Sequence, residues 1–294
     1  MDRRRGVTAL AVVLAVLGGA VVLIVSLPGR AHRAQHRALL SAVGSPIQAI
    51  PVTSGYDAAV SAQLAAVRRL ARFGLPVFCG GRTRRVVALT FDDGPGVYTR
   101  LAVKKLRQSR VHATFFLVGK EIRAFPGLVK LEEPLAAFGD HTMTHPFLPA
   151  LAQSTMVWQI AAAQALIERT VRHPVVLFRP PYEARNVAVD REVHALGMLE
   201  ILWNVDSQDS LGDTNYVGIE RNVLAGLRPG SIILMHENHG QTIRALPVIL
   251  AALARRRLRA VTVPELLSAD PPSPAQLRRG VAGCPVSETG SNGA

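Results

Sequence analysis

His141-Thr-Met-Thr-His145 sets two imidazoles four residues apart. On a helical turn this spacing puts both rings on one side, where they can hold one divalent cation. No Glu stands between them to act as a base, as it does in H-E-x-x-H. Taken alone, the pair also fits surface or capping histidines. Asp92-Asp93 adds to it: two adjacent carboxylates follow an apolar run and precede Gly94-Pro95. A turn or a helix cap needs one of them at most. Neighbouring side chains point in different directions, so the two can take different tasks. One can join the histidines in a His2Asp site with positions open for water and substrate. The other can stand beside that water as general base.

Arg179 ends another apolar run, ahead of Pro180-Pro181. A guanidinium there can pair with a carboxylate and fix its orientation. The prolines stiffen the following backbone, which suits an N–H aimed at a developing oxyanion. His236 follows the apolar run Ser231–Met235. It reads as a satisfied core histidine or as a general acid that protonates a leaving amine, with Asp209 or Asp206 to orient it. Glu237 and His239 read as rim or loop residues.

These residues need a scaffold that gathers them. The chain from 81 to 270 reads as alternating strands and helices. Strands are expected at 85–91, 112–118, 174–179, 200–205, 230–235 and 259–263. Helices are expected at 99–108, 153–171, 187–196, 216–227 and 242–257, and residues 126–138 read as a helix with a short strand. The alternation predicts an α/β fold with parallel strands covered by helices. Asp92, Asp93, Arg179, Asp206, Asp209 and His236 all fall at the C-terminal ends of strands, where such folds build their sites. No G-x-G-x-x-G or P-loop motif is present, so nucleotide binding has no support.

Residues 7–28 form an uncharged apolar segment behind Arg3, Arg4 and Arg5. The sequence predicts an uncleaved single-pass membrane anchor there, with 1–6 cytoplasmic and the main domain extracytoplasmic; cleavage would give a secreted form. Residues 29–80 read as a linker with a packing helix over about 57–73, and 271–294 as a loose tail. The net charge is +13. Residues 1–80 carry nine Arg and two acids, so much of the excess lies beside the expected anchor, and nucleic acid is not an expected partner. No obligate protein partner is implied. Cys79 and Cys284 flank the domain; a disulfide would clamp its ends, and two inert thiols are the alternative.

Five motifs, in order over residues 82–267, resemble those of the polysaccharide deacetylases with a NodB-type homology domain (carbohydrate esterase family 4). The resemblance implies a distorted (β/α) barrel, seven-stranded, and one divalent ion, with zinc first and cobalt, nickel or manganese as alternatives. In Thr90–Pro95 it makes Asp92 the base and Asp93 a metal ligand. His141 and His145 become the other two ligands. In Arg179-Pro180-Pro181-Tyr182, Arg179 orients Asp92, the Tyr182 N–H faces the oxyanion, and Pro180 and Pro181 line the substrate. Asp209 partners His236, the acid, and Leu234 meets the acetyl methyl. Glu183 stands where the family usually has Gly, and Ser210 where it usually has Trp. The implied substrate is an N-acetylated polysaccharide, with peptidoglycan first. Ester O-deacetylation and non-catalytic glycan binding on the same scaffold are the alternatives.

Overall fold

The computed structural model describes residues 54–284 and four two-residue strands inside the N-terminal segment. Val86–Gly94 (β1) is the central strand. Its apolar start, Val86-Val87-Ala88-Leu89, suits a strand covered on both faces, and all of it is buried except Asp93. Beside it lie β2 (Ala113–Leu117), β3 (Ala136–Asp140), β4 (Leu177–Phe178), β5 (Leu199–Glu200), β6 (Val205–Asp206) and β7 (Ile232–His236). The order is β6-β7-β1-β2-β3-β4-β5, and every pairing is parallel. An eighth strand, β8 (Arg259–Val261), pairs with the start of β1. Ala88 faces Ile232 on one edge and Val261 on the other, so β8 takes the lower part of the edge that β2 takes higher up. The sheet curls into the expected barrel-like form as a half-barrel, with β5 and β6 as its two outer strands.

The period of two along β1 sorts its side chains. Val87, Leu89 and Phe91 face an outer core. There Leu106 of α2 (Thr99–Ser109), Ile219 of α7 (Tyr216–Gly226) and Leu246 of α8 (Gly240–Arg255) cover the sheet. Val86 and Ala88 face an inner core with Phe116 and Ile232. It is closed by Val67 and Leu70 of α1 (Ser54–Ala71) and Leu266 of α9 (Val263–Ala269). Thr90 and Asp92 continue that inner row toward the C-terminal end, so alternation delivers Asp92 into the mouth of the half-barrel. Four further helices complete the covering: α3 (Gly119–Ala124), α4 (Leu128–Glu132), α5 (Gln153–Val171) and α6 (Val187–Ala195).

The N-terminal expectation is corrected. Among the described residues no helix is long and apolar enough to cross a membrane. The described residues within 7–28 are antiparallel strands: Val12–Val13 pairs with Ile24–Val25, and Val16–Leu17 with Ala20–Val21. The segment is rich in Val, which favours strands, and Gly18-Gly19 separates the inner pair in sequence. The expected helical anchor, the membrane as a partner and the single-pass location fall with this finding. The rest of 7–28, residues 29–53 and residues 285–294 lie outside the described residues.

Residues 274–283 form α10 (Pro274–Arg278) and a 3-10 turn where the sequence suggested a loose tail. Ser273 and Gln276 build a capping box there, a local signal hidden in a Pro- and Ser-rich stretch. Cys79 and Cys284 are bonded across a separation of 205 residues, and both are buried. A loop this long loses much denatured-state entropy when closed. Cys284→Ser is therefore expected to lower unfolding free energy by about 2–5 kcal/mol. Thermal melts with and without reductant check this, because reductant should bring the native protein down to the variant.

Candidate metal centre and active site

β1 ends in a bulge. Asp92 pairs with Phe116 and Gly94 with Leu117, which leaves Asp93 as the extra residue, at φ 68°. A regular strand would send neighbouring side chains to opposite faces. The bulge turns Asp93 back toward the side of Asp92, the usual effect of an extra residue in one strand.

β3 ends at Asp140, directly before His141. The segment 141–145 is not the helical turn expected from the spacing: Thr142 has φ 69° and His145 φ 61°. The Asp140 carboxylate accepts the Thr142 N–H at 2.7 Å, and the Thr142 hydroxyl accepts that of His145 at 3.0 Å. Gln159 on α5 takes the Thr144 N–H on its side-chain oxygen at 2.9 Å and the Met143 N–H on its carbonyl. This loop, held by polar contacts, brings the two rings to 4.9 Å between centroids.

His141 Nδ1 lies 2.7 Å from the Arg179 carbonyl. That oxygen only accepts, so Nδ1 carries the proton and Nε2 offers its lone pair inward. Burial, chiefly, keeps the imidazole neutral and pushes its pKa down to about 3. His141 Nε2 is 3.6 Å and His145 Nε2 3.2 Å from Asp93 Oδ1. Ligand atoms of the three residues lie within 4.8 Å of one another. Asp93 Oδ1 is buried and accepts no hydrogen bond. A buried orphan carboxylate oxygen facing two imidazole nitrogens is costly without a cation and well served by one. The residues present fit one divalent ion.

Asp92 is fully enclosed. Arg179 Nη1 donates to its Oδ1 at 2.7 Å and to the Thr90 hydroxyl at 2.8 Å. Arg179 Nε donates to the Ile201 carbonyl, and the guanidinium lies 4.1 Å from the Phe116 ring. The arginine is thus fixed on three sides. Burial raises the Asp92 pKa, and the charge of Arg179 offsets only part of that rise. With Oδ1 engaged, Oδ2 faces His141 Nε2 at 3.7 Å.

Asp209, not Asp206, meets His236. Its carboxylate takes the His236 N–H and contacts Nδ1, each at 2.7 Å, and also accepts from the Thr242 hydroxyl on α8. Asp206 is exposed and accepts from the Gln208 N–H instead. Burial alone would lower the His236 pKa. The hydrogen bond and charge of Asp209, followed by the charges of Asp92 and Asp93, raise it to about 9.

Tyr182 is 67% exposed, with its ring edge-on to His145 at 4.6 Å, while Pro181 and Leu234 are buried. Pro180 is buried too, and Glu183 and Ser210 are exposed. Asp93, Thr142, His145, Tyr182, Glu183 and Gln208 all have positive φ without being glycine. Such strain gathers where surrounding structure over-determines a functional geometry. Glu237 is not a rim residue: it is buried, and its N–H donates to the Asp92 carbonyl. Sequence reasoning missed Thr90, Gln159 and Thr242. Thr90 lies two residues before Asp92, on the same face of the strand, and could have been suspected; the other two sit on helices with no local signal.

The comparisons decide the family. A family model described as polysaccharide deacetylase matches residues 80–201. A peptidoglycan-N-acetylglucosamine deacetylase of Bacillus cereus is 36% identical over 186 residues, which is 60% of this chain and 68% of that protein. The chain belongs to the polysaccharide deacetylase family. Two solved structures are similar as well. A peptidoglycan N-acetylglucosamine deacetylase bound to a benzamide compound superposes with a TM-score of 0.63 at 30% identity, covering 69% of this chain and 95% of the other. A family 4 carbohydrate esterase from Streptomyces lividans in complex with acetate gives 0.57 at 33%, covering 62% and 92%. The bulged β1 and the three clustered ligands lie within the part of this deacetylase that the family model spans.

Proposed function

We propose that this polysaccharide deacetylase hydrolyses N-acetyl groups on a cell-wall glycan, peptidoglycan first, releasing acetate and a free amine. The observation that carries the proposal is the convergence of Asp93, His141 and His145 beside an Asp92 held by Arg179. Peptidoglycan comes first because the Bacillus cereus relative is named for it. Zinc is the proposed ion, since two imidazoles and one carboxylate suit it. When bound, a divalent ion supplies Lewis acidity, polarising a carbonyl oxygen and lowering the pKa of nearby water.

The chain's own groups do the rest. Asp92 takes the proton of the attacking water on Oδ2, and its raised pKa makes it the stronger base. Arg179 keeps that carboxylate aimed. The Tyr182 backbone N–H serves the developing oxyanion, Leu234 meets the acetyl methyl, and Pro180 and Pro181 line the substrate. His236, with Asp209 on Nδ1, gives the proton on Nε2 to the departing nitrogen.

The test is acetate release from peptidoglycan, chitin oligomers and an O-acetylated glycan, after chelation and restoration of single metals. Release from peptidoglycan restored best by zinc supports the full reading, and release from the O-acetylated glycan alone overturns it. Asp209 also sets a pH limit. A raised pKa keeps the acid form present to higher pH, so the alkaline limb of kcat/KM belongs near 9. Asp209→Asn removes the raising partner, and the limb should move down toward the ordinary imidazole value of about 6.5. A limb that stays in place would remove His236 from the acid role.

A further inference from the structure

β1 and β8 enter the sheet side by side at the end opposite the metal ligands, and arginines precede both. Arg82, Arg84 and Arg85 lead into β1. Arg255, Arg256 and Arg257 lead into β8, which opens on Arg259. The parallel register sets Arg259 against Val86, and the Arg259 N–H donates to the Arg85 carbonyl at 2.9 Å. Pairing of the two strand starts therefore gathers these arginines at one end of the half-barrel, and every one of them is exposed. Arg84, Arg85 and Arg259, with Val86 and Ala269, line a cavity of about 340 Å³ there. The mechanism above uses none of them.

The protein leaves this charge unanswered. Among the described residues the ion pairs of Arg and Lys lie elsewhere, at Lys120, Lys130, Arg179 and Arg185. Asp270 is buried beside the arginines, but its carboxylate accepts from the Thr83 hydroxyl and the Arg84 backbone N–H, each at 2.7 Å. Two of the side chains are braced on backbone. Arg85 donates to the Arg256 and Arg257 carbonyls, and Arg256 to those of Leu224 and Leu227. Arg84, Arg257 and Arg259 take part only through their backbones, so their guanidinium groups stay open to a ligand. Like charges held together raise the local potential and favour an anion.

The geometry selects among anions. A guanidinium fork matches phosphate and carboxylate oxygens alike. A carboxylate holds its two oxygens in one plane and suits one fork. A phosphate directs its oxygens out of any single plane, so guanidinium groups arriving from two strands can share it. The cavity takes its arginines from both strands. Nucleic acid fits less well, because residues 82–86 and 255–261 include no aromatic side chain on which a base could stack. A bilayer presents a plane of headgroups, whereas these arginines line a concavity. A linear polymer of phosphates suits both features.

We propose that the arginine-lined end of the half-barrel docks a linear phosphate polymer, while the opposite end stays free for the glycan. Asp93 lies eight residues along the chain of β1 from Arg85, roughly 25 Å away at about 3.3 Å per residue. A polymer chain on the arginines therefore does not obstruct the mouth. Where such a polymer is attached to the cell wall, docking holds the mouth near its substrate and raises the effective concentration of acetyl groups. This tethering rests on the deacetylase reading; the docking itself does not.

The experiment titrates the full chain with long-chain inorganic polyphosphate at an ionic strength of about 0.1 M, where charges act over about 10 Å. One variant combines Arg84→Gln, Arg257→Gln and Arg259→Gln. A control combines Arg100→Gln, Arg123→Gln and Arg191→Gln, which removes the same charge from exposed positions on α2, α3 and α6. The first should bind polyphosphate roughly tenfold to hundredfold more weakly than native protein, and the control within about twofold of it. The melting temperature of the first variant, and its acetate release from chitin oligomers, should match the native values. Its release from peptidoglycan that carries an attached phosphate polymer should fall below native, and the two should be equal on peptidoglycan stripped of that polymer. No binding by native protein, or equal weakening in the two variants, would overturn the docking site. So would tighter binding to single-stranded DNA than to polyphosphate, or binding to phosphatidylglycerol vesicles alone. Equal release by native protein from polymer-bearing and stripped peptidoglycan would overturn the tether. If no glycan yielded acetate, the deacetylase reading would fail while the polyphosphate titrations still decided the docking.

Discussion

Asp92→Asn is expected to lower kcat by about 10²–10⁴-fold while the protein keeps its metal and its fold. The amide is nearly the same size and can still accept from Arg179 on its oxygen, so the enclosure around the guanidinium survives. What disappears is the capacity of Oδ2 to take a proton. KM should change little, because the side chain is buried at the floor of the site and offers substrate little surface. The measurement pairs acetate release with metal content by elemental analysis. Native-like activity with native-like metal would sink the assignment of the base. Loss of both together would show that Asp92 is needed to build the site, which is a different role.

Asp93→Ala should have the other large effect, with the opposite signature. Among the three converging ligand residues it supplies the one negative charge. Without it, two neutral imidazoles remain and affinity for a divalent ion drops steeply. Metal content after dialysis should approach zero, and acetate release should fall to background. Because Asp93 Oδ1 is a buried orphan acceptor, the metal-free native protein should be less stable than the loaded one. Asp93→Ala should narrow that gap, and chelator melts on both proteins read it directly. A variant that still bound one equivalent of metal would place the ion elsewhere.

Much of this was legible in the residues. Apolar runs broken by Gly and Pro located the central strands because buried parallel strands are written as continuous hydrophobics. Edge elements were harder. The stretch expected as one strand at 200–205 is two separate two-residue strands, β5 and β6, at the two ends of the sheet series. The segment 126–138, read as a helix with a short strand, does hold α4 and the start of β3, but the strand runs on to Asp140, and Ala136-Ala137 has no β signature of its own to place it. The N-terminal run misled most. Length and hydrophobicity match a membrane helix, but they do not distinguish it from β-rich pairing, and the Val content was the signal to weigh.

The types of the reacting groups belonged to the sequence: carboxylates, imidazoles and one guanidinium, each at the end of an element, fix which protons and which cation can be handled. Their convergence belonged to the tertiary structure. Asp93 joins Asp92 on one side only through a bulge, and His141 meets His145 through a loop with two positive φ angles rather than a helix. The burial of Glu237 was invisible for the same reason. Spacing along a chain specifies local periodicity, whereas burial, desolvation and pKa depend on what distant segments bring into contact.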